Sequence, residues 1–571
     1  MKRLFTIFCM LFCVSAQSAQ IVNVEYIHKL IEQQHGITVP YNSELRDPRV
    51  AANMKYLLTT IDAANSILNG EKITDYGNGE YATTVATDTV AALEMVRDHV
   101  RNYKFFATTT PDTTSFNFTI SASGVFHIDW GDGTRESYRK TNTTATTYSH
   151  EYKTAGKYVI KIGGYRTGGN SISFNGNLNL AKIDGSLGAI FHTIKNKNGS
   201  VSNPSFLKAF YNCANLSGSI PSNLFTGIYG VPASSMFNAI FYGCTGLTGE
   251  IPRGLFAGIS GAPAQAMYRE TFNGCSGLTG NIPERLFGDI SGAPAGNMFQ
   301  GTFQQCTGLT GEIPEDLFAG IYGAPARYMF TDTFKGCSGL SGNIPQKLFV
   351  RISGAPAYGM FMRTFQQCAG LTGSIPDGLF GDISGAPAQS MFHGTFQQCT
   401  GLTGSIPDGL FGDISGAPAS NMYAYTFDRC SGLTGNIPEN LFGDISGAPA
   451  SSMYAYTFNG CSGLTGNIPE RLFGDISGAP ASAMYAHTFT GCSGLTGNIP
   501  ENLFGDISGA PAQSMFQGTF RSCRNLTGDS AKSNGKYLYD IFPNASTAEV
   551  KWMYNGVTGL TDYADIPSSW K

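Results

Sequence analysis

Eleven cysteines, from Cys213 to Cys523, stand 31 residues apart. A thiol repeated at one fixed place can be a disulfide partner, a metal ligand or a buried filler. Neighbouring coils paired as strands put equivalent Cα atoms about 4.8 Å apart, within the reach of a disulfide. An odd number cannot pair completely within one chain, and alternate bridging would make equivalent repeats inequivalent. A ladder of buried free thiols serving as small apolar fillers is therefore preferred to a disulfide ladder. The spacing gives metal binding no support, because no CxxC pair or Cys/His cluster occurs.

Two further stripes have the same period. Asp289, Asp382, Asp413, Asp444, Asp475 and Asp506 come from LFGDI segments. Stacked carboxylates could hold calcium, which takes several oxygen ligands, or could simply be solvated. Tyr423, Tyr425, Tyr454, Tyr456 and Tyr485 come from MYAYTF and MYAHTF. They offer either rings for a sugar or packing for the interior. The catalytic inventory is thin. Eight histidines occur, and His393 and His487 occupy variable repeat positions without partners nearby in sequence. No GxSxG, HExxH or phosphate-loop motif appears, and nothing singles out a carboxylate pair for glycoside hydrolysis. The expectation is a non-enzymatic chain that uses no cofactor.

Composition agrees. The 571 residues include 71 glycines and only 14% charged side chains, a turn-rich and repetitive profile. A net charge of −4 supplies no basic field for nucleic acid. Lys2 and Arg3 precede an apolar run over residues 4–14, followed by Ser15 and Ala16, the pattern of a secretory signal peptide over residues 1–19. That run is too short to span a bilayer, and no later segment is long enough. The expected location is extracellular or at a cell surface.

The elements that would position these stripes follow in order. Residues 20–110 are expected to be helical, with Asp47, Pro48 and Gly70 bounding the best-marked helix and a third running from about residue 84 to 103. Residues 111–170 carry the β-rich runs SFNFTI, GVFHIDW and KYVIKI between turn residues. Residues 171–204 are expected to cap the array, residues 205–527 to form it, and residues 528–571 to close it. Terminal repeats differ because their outer face meets water. Val557 stands where a cysteine would be, and Trp552 and Trp570 are expected to cover the last turn.

The aligned unit reads C-x-G-L-T-G-x-I-P-x-x-L-F-x-x-I-x-G-x-P-A-x-x-M-[FY]-x-x-T-F-x-x. One unit cannot bury its Leu, Ile, Phe and Met set alone, whereas a stack can. GLTGxI suits a short strand. Each Pro suits a helix start, so the unit is expected to hold one strand and one or two short helices, an α/β solenoid.

WGDGT (residues 130–134), His150 and Tyr152, and Gly156 with Tyr158 together resemble the PKD-type β-sandwich. That resemblance implies an extracellular spacer, adhesion or carbohydrate-binding module. Trp130 would fill its core, and Asp132 would cap the turn through backbone rather than bind calcium. LTGxIPxxLF with FxxCxxL resembles the leucine-rich repeats, most closely the BspA-like bacterial surface proteins, from which this unit departs by its GAPAxxM[FY] insert. The resemblance implies adhesion to a host or neighbouring-cell surface protein, a matrix protein or a glycan; charge and hydropathy already argue against nucleic acid and a transmembrane segment. A structural spacer displaying the N-terminal domains is the alternative.

Comparing units shows which positions vary: the pairs after IP, after GAPA, after the Met-aromatic pair and before Cys. Larger residues gather at Arg327, Tyr328, Tyr358, Met362 and Arg363. On this basis the candidate ligand contacts are Glu470, Arg471, Tyr423, Tyr425, Tyr454, Tyr456, Tyr485 and His487. Asp382, Asp413, Asp444, Asp475 and Asp506 are the candidate calcium stripe.

Overall fold

The computed structural model describes residues 73–75 and 103–571. The expected signal peptide and all three expected helices lie outside the described residues, apart from Tyr103 at the end of the third. Tyr103 begins a strand instead.

The N-terminal part is one hydrogen-bonded antiparallel sheet. Its strands are β1 (Ile73–Asp75), β2 (Tyr103–Thr109), β3 (Thr113–Asp129), β4 (Arg135–Lys140), β5 (Thr146–Gly156), β6 (Val159–Ser173) and β7 (Leu180–Gly185). The order is β1-β4-β3-β6-β2-β7, with β5 on the first half of β3. SFNFTI and GVFHID do not form separate strands. They join in the 17-residue β3, which pairs with β6 and bends at two register shifts, between Ile120 and Ala122 and between Ser123 and Gly124. The sheet also extends past the expected limits of 111–170, because β2 buries alternate side chains, and β7 buries Leu180 and Ile183, on the same core.

Trp130 is fully buried there, and its indole N–H donates to Glu136 Oε2 at 3.0 Å. Tyr152 donates to the Trp130 carbonyl at 2.9 Å. Asp132 Oδ1 accepts from the Thr134 N–H at 2.9 Å, so it does cap its own turn. Its Oδ2 lies 2.8 Å from His150 Nε2, and despite some burial these partners hold the carboxyl below the usual carboxylate range.

From residue 186 the chain winds into a solenoid. Equivalent residues are 31 apart, while bridge partners such as Ser446 and Asp475 are 29 apart. Two parallel ladders run along it. One joins the LTG segments, as between Gly466 and Leu495. The other joins the segments Ser353–Gly354, Asp382–Gly385, Asp413–Gly416, Asp444–Gly447, Asp475–Gly478 and Asp506–Ile507 into a six-stranded sheet.

The expected helices do not form. Between residues 205 and 527 no residue is helical, and for the segment after GAPA the reason lies in where the backbone N–H groups go. In residues 452–461, Ser452, Tyr454, Tyr456, Phe458 and Gly460 donate to carbonyls 30 residues later, in the next coil. The alternating Met453, Ala455, Thr457, Asn459 and Cys461 donate locally, three residues back. An α-helix would direct every N–H inward along its own axis and leave nothing for the neighbour. Ser452 and Tyr456 take left-handed φ values of 52° and 57°, and Gly460 takes 73°, so every fourth residue turns the ribbon back. Each non-glycine left-handed residue costs roughly 1 kcal/mol, which the lateral bonds offset.

Side chains reinforce this ribbon. The Thr457 hydroxyl lies within hydrogen-bonding reach of Tyr454 O at 2.7 Å and of Tyr423 O, one coil earlier, at 3.1 Å. The Cys461 thiol donates to Phe427 O at 3.0 Å. All eleven array cysteines are free and buried, and each thiol reaches a carbonyl belonging to an earlier segment in this way. Within one unit, Cys461, Leu464, Ile468, Leu472, Phe473, Ile476, Met484 and Phe489 are all at most 2% exposed. Aromatic rings stack in columns along the axis, as in Phe334–Phe365 at 5.6 Å.

The ends are closed differently. Phe174, just beyond β6, stacks on Phe210 and starts one aromatic column. Arg166, 2% exposed, donates to Gly169 O, His192 O, Ser202 O and Ser202 Oγ at 2.8–3.1 Å. Its charge is met by four neutral oxygens, and two of the residues supplying them, His192 and Ser202, lie on the first turn past the sheet. Residues 171–204, expected as a separate cap, are thus divided among the end of β6, β7 and that turn.

At the far end are two four-residue helices, α1 (Leu538–Ile541) and α2 (Thr547–Val550), the latter with a Ser546/Glu549 capping box. Val557 is buried, Tyr554 continues the Phe520 column, and Trp570 lies over Phe516 and Tyr554. Trp552 stays half-buried at the surface between Arg521 and Lys551.

Candidate ligand-binding groove

Stacking aligns the x-I-P-x positions of successive units. In five consecutive coils, from Glu250 to Asp377, they enclose a groove of about 930 Å³. The glycine of each LTG segment makes it possible. Gly311 has φ +75°, and a Cβ added there would meet Asn281 Oδ1 at 2.0 Å. Asn281 therefore folds over the next coil, and Asn343 does the same over Gly373. Glu250 and Glu312 lie over Gly280 and Gly342, each with its Cγ 2.6 Å from the position a Cβ would take. These four side chains form a line along the solenoid with prolines beside it.

The groove is acidic. Its lining holds Glu250, Glu284, Glu312, Glu315 and Asp377 against one cation, Arg253. Glu315 pairs with Lys347 at 3.2 Å. Among the described residues no ion pair neutralises the other four carboxylates.

The residues singled out from sequence are dispersed. Tyr423, Tyr454 and Tyr485 lie in the core at 0% exposure, so they present nothing to a ligand at the surface. Their rings form part of an aromatic column and their hydroxyls find no partner. Burial pushes these phenols well above their ordinary range. Tyr425, Tyr456 and His487 do reach the surface, half-buried. Tyr425 and Tyr456 stack at 4.6 Å and 5°, and Tyr456 and His487 at 4.7 Å and 23°. With their faces turned to one another, they offer edges rather than a platform on which a sugar could stack. His487 also packs over Gly518, where an added Cβ would meet its Nδ1 at 2.4 Å.

Glu470 and Arg471 are exposed on the continuation of the groove face. Arg471 donates to Asp475 Oδ2 at 2.6 Å, an exposed pair that joins a candidate ligand contact to a candidate calcium ligand. Asp382, Asp413, Asp444 and Asp506 are exposed, and Asp506 accepts from Asn534. Among the described residues no group of three or more His, Cys, Asp or Glu side chains is placed to hold a metal ion. His393 lies beside the Tyr425 ring, its Nδ1 buried without a partner. Tyr328 and Tyr358 meet edge-on at 4.9 Å beneath Arg327, and Arg363 grips Asp332 with two bonds of 2.9 Å.

Sequence comparison of the pairs after IP points to one rim of the groove, including Glu284, Glu315 and Asp377. The line formed by Glu250, Asn281, Glu312 and Asn343 was missed. Its signal was the residue before Ile-Pro, which varies between Glu, Asn and Ser from unit to unit.

No family model and no curated protein matches the chain. Among the described residues no helix is long and apolar enough to cross a membrane.

Proposed function

We propose that the chain is a non-enzymatic exported protein, secreted or held at a bacterial surface, whose solenoid binds an extended ligand along the groove. The carrying observation is that groove. It runs unbroken over five coils in the part of the array where the units vary most in charge, and four of its lining side chains lie over glycines whose missing Cβ leaves room for them. The finer description of the fold belongs to the same reading: a BspA-like leucine-rich solenoid behind a PKD-like module, with adhesion as its role. The WGDG turn, the Trp130 core and the Asp132 cap support the second part of that description.

The test is a binding screen of the whole chain against glycans and matrix proteins, with Glu284→Trp/Gln346→Trp as a groove-blocked variant. Both positions are exposed, so the added rings fill the groove without entering the core. Hits lost in the blocked variant are expected. Hits that persist in it would sink the groove reading. A spacer role is favoured by the near identity of the units from residue 368 to 522, and it predicts no hit that depends on the groove.

A further inference from the structure

Resting on that reading of the groove as the ligand site, we infer that its occupant is an extended polypeptide segment carrying lysine or arginine at every third residue. Three observations combine. The lining has five carboxylates and one arginine, and among the described residues four of those carboxylates are in no ion pair. Glu250 and Glu312 lie in line over Gly280 and Gly342, in the space that a Cβ at either glycine would take. The Ile-Pro segments beside them are largely buried and present little to a ligand except backbone and proline rings.

Spacing supplies the register. Glu250 and Glu312 are two coils apart, which at about 4.8 Å per coil is about 10 Å. A polyproline-II segment rises about 3.1 Å per residue, so cations three residues apart fall about 9 Å apart on one face. Five coils then accommodate roughly six residues of such a segment. A neutral glycan would leave the carboxylates unpaired, and a polyanion would be repelled.

The test measures fluorescence anisotropy of the full chain with labelled (Lys-Pro-Pro)4 and (Glu-Pro-Pro)4, and with a labelled neutral hexasaccharide. The variants are Glu250→Gln/Glu312→Gln in the groove and Asp413→Asn/Asp444→Asn outside it, which change the net charge equally. The lysine peptide is expected to bind, to weaken roughly tenfold or more in the groove variant, and to change less than about twofold in the other. The glutamate peptide is expected not to bind. Equal losses in both variants would mean diffuse attraction and would overturn the inference, as would failure of the lysine peptide to bind. If the hexasaccharide, or a hit from the screen, binds and is lost on groove blocking while the lysine peptide does not bind, the groove stands and the cationic ligand falls. If nothing bound depends on the groove, both fall.

Discussion

The rings of Phe174 and Phe210 lie parallel, 5.5 Å apart with 3° between their planes. One stands at the end of the antiparallel sheet and the other in the first coil of the array, so the two parts share a single core. Phe174→Ala should therefore cost about 3–5 kcal/mol and loosen the first coils rather than the sheet alone. Hydrogen exchange should show faster exchange near residues 206–213 in the variant. Unchanged protection there would separate the two cores.

Tyr454 is expected to be better as phenylalanine. Its hydroxyl is buried without a partner, and Phe392 and Phe330 hold the equivalent place in other coils. Tyr454→Phe should be neutral or stabilising by about 1 kcal/mol and leave ligand binding unchanged. A loss of more than about 1 kcal/mol, read from denaturant melting, would show that the hydroxyl has a partner.

The array thiols should be inert in the native chain. Burial pushes them up, to about 12 at Cys337, Cys399 and Cys523. Even at pH 10 only about one in a hundred would be ionised. Ellman's reagent should find none of the eleven in the folded chain and all of them after unfolding without reductant. A shortfall on unfolding would mean disulfides.

His393 should titrate near pH 4. Burial first, and then the nearby Arg363 cation, depress its ring to about 4. The folded state holds this ring neutral, whereas the unfolded chain protonates it near 6.5. Stability is thus complete above 6.5 and falls as pH drops toward 4, by roughly 3 kcal/mol in all. NMR titration of the ring should give the low midpoint, and His393→Gln should flatten this part of the pH dependence. A midpoint near 6.5 would contradict the burial.

The array was legible in outline. Cys461, Leu464, Phe473 and Met484 recur at fixed places because each coil repeats one environment, and all four are buried. The roles of the two tyrosines in MYAYTF were not legible. Tyr423 turns into the core and Tyr425 to the surface, although they are two residues apart. A helix would have spread them differently, and a local pattern does not reveal the left-handed residue at Tyr425. The groove was half legible, since variation after Ile-Pro marks one rim and the line from Glu250 to Asn343 forms the other.

Period, repeat boundaries and the set of inward apolar residues were determined by the sequence alone, because 31-residue identity forces identical neighbours. The tertiary structure decided that the Pro-led segments are ribbons of turns and not helices. In the segment after GAPA alternate N–H groups find their acceptors 30 residues away, in a coil that no local window contains. The same stacking brought residues 31 apart side by side, and so made a groove from side chains that in sequence are only scattered acids and amides.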